Sequence, residues 1–429
     1  MIDRSSRRDF IKTAVSLTAA GSLNGQTAFA YAEPAAAARG ATVSSLDSML
    51  RSAANSGEVP GVVALAATDT GIFYEGNFGW RRLHDGPAMT RDTVFRIASM
   101  VKLITTIAAL QLVEKDRLSL DARLPDIDPA FGSPKVLEGF DDNGVPRLRP
   151  AAGPITLRQL LTHTSGFTYR LWDSKAVRFA RSIEHLSPEQ RAAAARGTLM
   201  FDPGERWQYG TGLDWAGRIV EQVSGDSLDV YFRKHILDPL GMNDTAFVIS
   251  AQQRQREASV HRRTPDGSLA AQPAEQPSAK QTFSGGGGIY STAPDYLTLL
   301  RALMGGGSLG GGRILHPDTV ALMGQNQIGK VNVGVLKTTV PALSNDVDFF
   351  PDITLKWGFG HMINMQPVER GRSAGSMTWG GLFNTYYWID PRKRVAAVFM
   401  TQVLPFADIR ALRLYARFER EIYALAKSG

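Results

Sequence analysis

Apolar and polar positions along this chain follow two rhythms, and the rhythm changes twice. Ser45 to Asn55 repeats its apolar residues at helical spacing. Gly61-Val-Val-Ala-Leu-Ala-Ala-Thr68 and Ile72-Phe-Tyr-Glu-Gly-Asn-Phe-Gly79 then flank Asp69-Thr70-Gly71. Two β-prone runs around a glycine turn predict a hairpin. From about residue 106 to 284 helical periods and loops take over. Thr156 is the cap of a short helix ahead of a turn at Ser165-Gly166, and Asp202 to Tyr209 is a turn leading into an extended piece. Leu213 to Val223 and Ser227 to Ile236 read as helices.

Past that region strands return. Ser284-Gly-Gly-Gly-Gly288 is a backbone-permissive turn, and Ala293 to Met304 is a helix stopped by Gly305 to Gly307. Trp379 to Ile389 and Arg394 to Gln402 predict two strong strands around Asp390 to Lys393, and Asp408 to Ala426 a long closing helix. No internal repeat is present. Strands at both ends of a helical insertion imply one sheet fed by both termini. The α/β lobe then spans about 45–105 and 285–429, and an all-α lobe about 106–284, together one domain over 45–429.

The first thirty residues fit neither rhythm. Ser6-Arg7-Arg8-Asp9-Phe10-Ile11-Lys12, the apolar run Thr13 to Leu23 and Ala28-Phe29-Ala30 match a twin-arginine signal peptide over 1–30. The apolar run is broken by polar residues and too short for a membrane span. Residues 31–44 read as a loose leader. The expectation is a periplasmic or secreted protein, exported by the twin-arginine route. The whole chain carries a net charge of +7; without Arg4, Arg7, Arg8, Lys12, Asp3 and Asp9 that falls to +5. No Lys/Arg cluster in the remainder points to nucleic acid. With no cysteine there are no disulfides and no thiolate metal sites.

Chemistry concentrates in Phe95-Arg-Ile-Ala-Ser-Met-Val-Lys102. Ser99 and Lys102 lie one helical turn apart, so the amine can reach the hydroxyl. A serine needs such a neighbour to become a nucleophile. The free N–H groups of a helix start favour the negative charge that then develops. Tyr209, in Gln-Tyr-Gly-Thr-Gly, is the candidate second partner. Its phenol can act as a base only where a cation stabilises the phenolate, and Lys102 would supply that charge or take the proton itself. The Ser99 N–H is one natural oxyanion donor; Trp379-Gly380-Gly381-Leu382 offers another, or else an edge-strand bulge.

Two further patterns carry less. Gly306-Gly-Ser308-Leu-Gly310 satisfies Gly-x-Ser-x-Gly, but it follows a helix inside a glycine tract, where a nucleophile elbow needs a preceding strand. The seven histidines never fall at metal-ligand spacing. His163 is read as holding the turn before Gly166.

Six ordered blocks resemble the serine hydrolases related to class C β-lactamases. They are Phe95-Arg-Ile-Ala-Ser-x-x-Lys, Leu160-Leu-Thr-His-Thr-Ser-Gly166, Pro203-Gly-Glu-Arg-Trp-Gln-Tyr209, Pro239-Leu-Gly-Met-Asn-Asp-Thr245, Gly287-Gly-Ile-Tyr-Ser-Thr and Trp379-Gly-Gly. The resemblance implies an α/β (α+β) penicillin-recognising fold, an antiparallel sheet flanked by helices with an all-α lobe across a cleft. It also implies that Ser99 is the acylated nucleophile, Lys102 its proton partner and Tyr209 the general base. The N–H groups of Ser99 and Leu382 would form the oxyanion hole, and no metal or organic cofactor is required.

Two departures separate branches of that family. Thr211 stands where the β-lactamases have the asparagine of Tyr-x-Asn, and Trp379-Gly380-Gly381 stands for Lys-Thr-Gly. Losing that lysine removes a charge-assisted contact worth about 1.5–3 kcal/mol. The Trp-Gly-Gly form looks like that of family VIII carboxylesterases and related transesterases, and an aromatic wall suits an uncharged acyl or alcohol group. The expectation is an esterase with a small-molecule ester substrate and weak or no β-lactamase activity. Trp172, Trp207, Trp357 and Phe383 are further pocket candidates. The same three residues would serve a β-lactamase, a D-amino-acid peptidase or an amide hydrolase. An inactive periplasmic penicillin-binding-like protein would keep the fold without the chemistry.

Overall fold

Seven strands drawn from both ends of the chain pair into one sheet. The computed structural model describes residues 32–274 and 283–427; the expected signal segment lies outside them. In chain order the main elements are α1 (Ala32–Asn55), β1 (Gly61–Ala67), β2 (Ile72–Gly79), α2 (Val101–Glu114), α3 (Gly212–Ser224) and α4 (Ala293–Met304). After these come β3 (Leu355–Trp357), β4 (Met362–Asn364), β5 (Met377–Gly381), β6 (Thr385–Asp390), β7 (Val395–Met400) and α5 (Ile409–Lys427). The strand order is β3-β4-β5-β6-β7-β1-β2, antiparallel at every step. The hairpin and α4 lie where the periodicity predicts them.

Burial follows position in the sheet. The interior strands β1, β5, β6 and β7 are buried along their whole length. The edge strand β2 alternates, burying Tyr74, Gly76 and Phe78 between exposed neighbours, the period-two pattern of a strand with one wet face. Both faces of β6 are covered. Tyr386 stacks on Tyr415 of α5 with ring centroids 4.7 Å apart, and Trp388 meets Phe418 at 5.8 Å. Tyr387, between them, points the other way and packs on Tyr296 of α4 at 5.3 Å. Trp388 is fully buried; truncating such a side chain to alanine costs about 3–5 kcal/mol.

The helix α2 explains why the sheet and helical lobes stay together. Every residue from Val101 to Leu112 is buried, as expected of a helix apolar on all sides. It packs on α3 of the helical lobe and follows directly on the turn that abuts β5. Among the described residues no helix is long and apolar enough to cross a membrane.

The structure corrects several boundaries. The alanine run of the expected leader is helical, so α1 begins at Ala32 rather than Ser45; alanine has the highest intrinsic helix propensity. Trp379 to Ile389 is two strands, because the chain reverses through Leu382 to Asn384, with Asn384 at φ 61° and its N–H on the Gly381 carbonyl at 3.0 Å. The helical lobe holds a small sheet of Lys135–Phe140, Pro146–Pro150 and Thr198–Leu199, whose first two strands pair around the turn 141–145. Ser227 to Ile236 is an α-helix over Leu228–Phe232 that widens into a π-turn over Arg233–Leu237. Ser308 lies in a two-residue strand paired with Gly312–Arg313, a small hairpin and not a nucleophile elbow.

Candidate active site

Ser99 sits in a single 3-10 turn, Ala98–Met100, that opens into α2. The turn is held tightly from outside. Ile97 N–H bonds the Ile289 carbonyl at 3.2 Å, and the Tyr296 hydroxyl donates to the Met100 carbonyl at 2.9 Å. Ala98 adopts φ 44°, a left-handed conformation that costs a non-glycine residue roughly 1–2 kcal/mol. Ser99 itself is half-buried, within reach of a substrate.

One turn on, Lys102 is 1% exposed. Its amine donates to Ser99 Oγ at 3.2 Å and to the Gly286 carbonyl at 2.6 Å. Two tyrosine rings flank it, Tyr169 at 5.1 Å and Tyr209 at 5.0 Å from ring centre. A buried ammonium requires such partners. Each ring face contributes about 0.5–2 kcal/mol. No carboxylate forms an ion pair with Lys102 among the described residues.

The two tyrosines are not equivalent. Tyr169 donates its proton to Asp214 Oδ2 at 2.8 Å. Burial, reinforced by the Asp214 charge, holds its phenol well above the ordinary value; it is a fixed donor. Tyr209 instead accepts a hydrogen bond from the Trp379 indole N–H at 3.3 Å. Of the two phenols beside Lys102, Tyr209 is therefore the one seen to accept a hydrogen bond.

Glycines bring these groups together. A Cβ on Gly210 would strike the Phe167 carbonyl, so the chain can turn past Tyr209 only with hydrogen there. The His163 carbonyl accepts from Gln208 N–H at 3.0 Å, and its ring lies 4.7 Å from the Tyr209 ring. His163 has φ 57° and does shape the turn before Gly166, as the sequence predicts. It also forms the floor under Tyr209. Burial, with the Lys102 charge adding to it, keeps the imidazole far below its usual pKa and so neutral.

On the sheet side, a Cβ on Gly381 would collide with the Ile97 carbonyl and with Thr385 Oγ1. The end of β5, Gly380-Gly381, thus lies against the main chain that leads into Ser99, and half-buried Leu382 follows it.

Other candidates take different places. Trp379 is 4% exposed, 4.9 Å from Tyr209 and 4.7 Å from Trp357 by ring centroids, so it packs behind the tyrosine instead of forming an open wall. Trp207 and Trp357 are buried against His163 as well and act as packing. Trp172 meets both Tyr169 and Tyr209, at 6.2 and 5.4 Å. Phe383 sits in the β5–β6 turn, its carbonyl accepting from Val403 N–H at 3.0 Å. Thr211 precedes α3 without capping it through its side chain. It opens on a cavity of about 750 Å³ that Tyr169 and Asp214 also line. Tyr169, Asp214 and Ser284 are absent from the sequence-derived set. The doubled glycine at 285–286 is the one trace of their meeting.

A family model described as Beta-lactamase matches residues 46–421. The chain belongs to the β-lactamase family. Monacolin J acid methylbutanoyltransferase of Aspergillus terreus is 32% identical over 92% of this chain and 98% of its own length. Lovastatin esterase of Penicillium rubens is 32% identical over 88% of this chain and 98% of its own. The unliganded simvastatin synthase of Aspergillus terreus superposes with a TM-score of 0.78 at 31% identity, covering 90% of this chain and 99% of that structure. The fold is therefore that of the β-lactamases and penicillin-binding proteins, as the resemblance of the motifs implies, and the chain is an enzyme of the serine-hydrolase type.

Proposed function

We propose that this β-lactamase-family enzyme cleaves carboxylic esters through an acyl-enzyme on Ser99, passing the acyl group to water or to a second alcohol. The observation that carries the reading is the Lys102 amine, bonded to Ser99 Oγ and lying beside Tyr209, whose oxygen accepts from the Trp379 indole N–H. The relatives named for an esterase and for acyl transfer support it. So does the indole at position 379, where a cation for a β-lactam carboxylate would otherwise stand.

In the first step Tyr209, its phenolate favoured by the Lys102 charge and the Trp379 N–H, takes the Ser99 proton as Oγ attacks the ester carbonyl. The oxyanion is received by the N–H groups of Ser99 and Leu382, the two sites where the Ser99 turn and the end of β5 abut. The C–O bond to the alcohol breaks, and the alcohol leaves with the proton that Tyr209 holds. Water or another alcohol then gives its proton to Tyr209 as it attacks the acyl-enzyme, the bond from the acyl carbon to Ser99 Oγ breaks, and Tyr209 returns that proton to Oγ. Thr211 contributes to the substrate-facing surface. The substrate class is a small uncharged acyl ester, and export by the twin-arginine route would bring the enzyme to its substrate outside the cytoplasm.

The test sets wild type beside Ser99→Ala on p-nitrophenyl butyrate, with and without an alcohol acceptor, and on a chromogenic cephalosporin. Ester cleavage that disappears with Ser99 and exceeds cephalosporin turnover is expected. Rapid cephalosporin hydrolysis would move the enzyme to the β-lactamase branch, and ester cleavage that survives Ser99→Ala would remove Ser99 from the reaction.

A further inference from the structure

Lys102 is buried and, among the described residues, ion-pairs with no carboxylate, so something else must fix its amine. The Gly286 carbonyl does so at 2.6 Å, and Gly286 is itself held through its N–H by a relay. Gly286 N–H donates to Ser284 Oγ at 3.0 Å, and the Ser284 hydroxyl donates to Asp214 Oδ1. Asp214 Oδ2 accepts a hydrogen bond from the Tyr169 hydroxyl at 2.8 Å. The neighbouring Gly285 carbonyl is pinned to α2 by Thr105 Oγ1 at 2.7 Å.

The loop fits because it has no side chains there. A Cβ on Gly286 would overlap Asp214 Oδ2 and come within 2.7 Å of the Tyr169 hydroxyl, and one on Gly285 would overlap the Leu213 carbonyl. The first turn of α3 and the middle of α2 therefore clamp one dipeptide between them.

We propose that Asp214 is a positioning residue for the acyl transfer. Through Ser284 it sets the Gly286 carbonyl that aims Lys102 at Ser99, and through Tyr169 it keeps the second phenol beside Lys102 committed as a donor, leaving Tyr209 alone to exchange the proton. This assignment rests on the Ser99 acyl-enzyme reading. A carboxylate suits the place because it accepts from both hydroxyls and donates to neither, which fixes the direction of every hydrogen bond in the relay.

The experiment is a double-mutant cycle on Asp214→Asn and Ser284→Ala, read by kcat and KM on p-nitrophenyl butyrate and by the rate of fluorophosphonate labelling of Ser99. Misplacing the amine should lower kcat and the labelling rate together, by about 10- to 100-fold, with KM changed less than about twofold. Because both residues act through one carbonyl, the double variant should lose no more than about twice what either single variant loses. Asp214→Asn at wild-type kcat, losses that multiply, or slow turnover with labelling unchanged would each overturn the proposal. Melting temperatures identify a variant that does not fold, and Ser284→Ala, which keeps the charge in place, then carries the test. Wild type that is neither turned over nor labelled would instead sink the Ser99 reading itself.

Discussion

The two walls that meet at Ser99 are made differently. The sheet wall, the end of β5, presents main chain: Gly380, Gly381 and the N–H of Leu382 are placed by the β5–β6 ladder, with Gly381 opposite Thr385. The helical wall presents side chains from separate segments, Tyr169, Tyr209, Asp214 and the 284–286 loop, joined by hydrogen bonds between hydroxyls, carbonyls and a carboxylate. A ladder fixes its donors through many bonds at once, and a Cβ added at Gly381 would strike the Ile97 carbonyl. The helical wall is a chain of single contacts, any one of which can be lost alone. Lys102 belongs to α2, which both walls share.

Lys102 is therefore where the difference can be broken most completely. Lys102→Met should lower kcat/KM about a thousandfold or more, since both the activated serine and the charge beside Tyr209 go with it. Its melting temperature should hold or rise, because an apolar side chain of similar length replaces a buried cation. A loss below tenfold in the p-nitrophenyl ester assay would mean that Tyr209 works without the amine. Gly381→Ala tests the sheet wall. Its methyl would meet the Ile97 carbonyl, and the backbone must yield, at about 1–3 kcal/mol of stability. Losing one oxyanion donor costs about 100-fold in kcat. Unchanged kinetics with an unchanged melt would show that β5 can retreat without consequence.

The same contrast governs what was legible beforehand. The sheet wall is written in short range: β-prone runs, a Trp-Gly-Gly stretch and a hairpin of local pairing, so the strands and the glycine pair could be read directly. Even there the reversal at Leu382 to Asn384 escaped, because Asn384 supplies the positive φ without a glycine to announce it. Ser99 and Lys102 are one turn apart and needed no tertiary information. Asp214 and Ser284 are 70 residues apart, and each looks like an ordinary polar residue beside a helix or a turn. Only the folded chain brings Tyr169 and Tyr209 together beside one amine, and only their hydrogen bonds tell the donor from the acceptor. The aromatic residues near the motifs were visible, but not which of them would be packed behind Tyr209.

Trp379 links the walls, since it lies on β5 and bonds Tyr209 from behind. Trp379→Phe keeps an aromatic ring and removes the N–H. A neutral hydrogen bond contributes about 0.5–1.5 kcal/mol, so kcat should fall roughly 2- to 10-fold. An unchanged kcat with a lower melting temperature would assign Trp379 to packing alone.

The smallest effect on catalysis is expected where the lobes are stitched outside the hydrogen bonds to Lys102 and Tyr209. Asp295, in the first turn of α4, accepts from Thr245 Oγ1 at 2.9 Å and from Asp244 N–H at 2.8 Å, both in the helical lobe. Burial raises its carboxyl from 3.8 to about 6, against the hydrogen bonds from Thr245 and Asp244 that pull it down. A carboxyl whose pKa is raised on folding contributes stability that is complete below its unfolded value and is lost as pH rises through the folded one. Between about pH 4 and 6 this group should therefore withdraw about 2–3 kcal/mol. Asp295→Asn keeps an oxygen to accept from Thr245 and cannot ionise. Its melting temperature relative to wild type should climb from pH 4 to pH 6.5 while kcat stays within twofold. A difference that stays flat across that range would mean Asp295 is ionised throughout and its hydrogen bonds outweigh its burial. A fall in kcat would mean that the lobe junction, and not only the two walls, sets the geometry at Ser99.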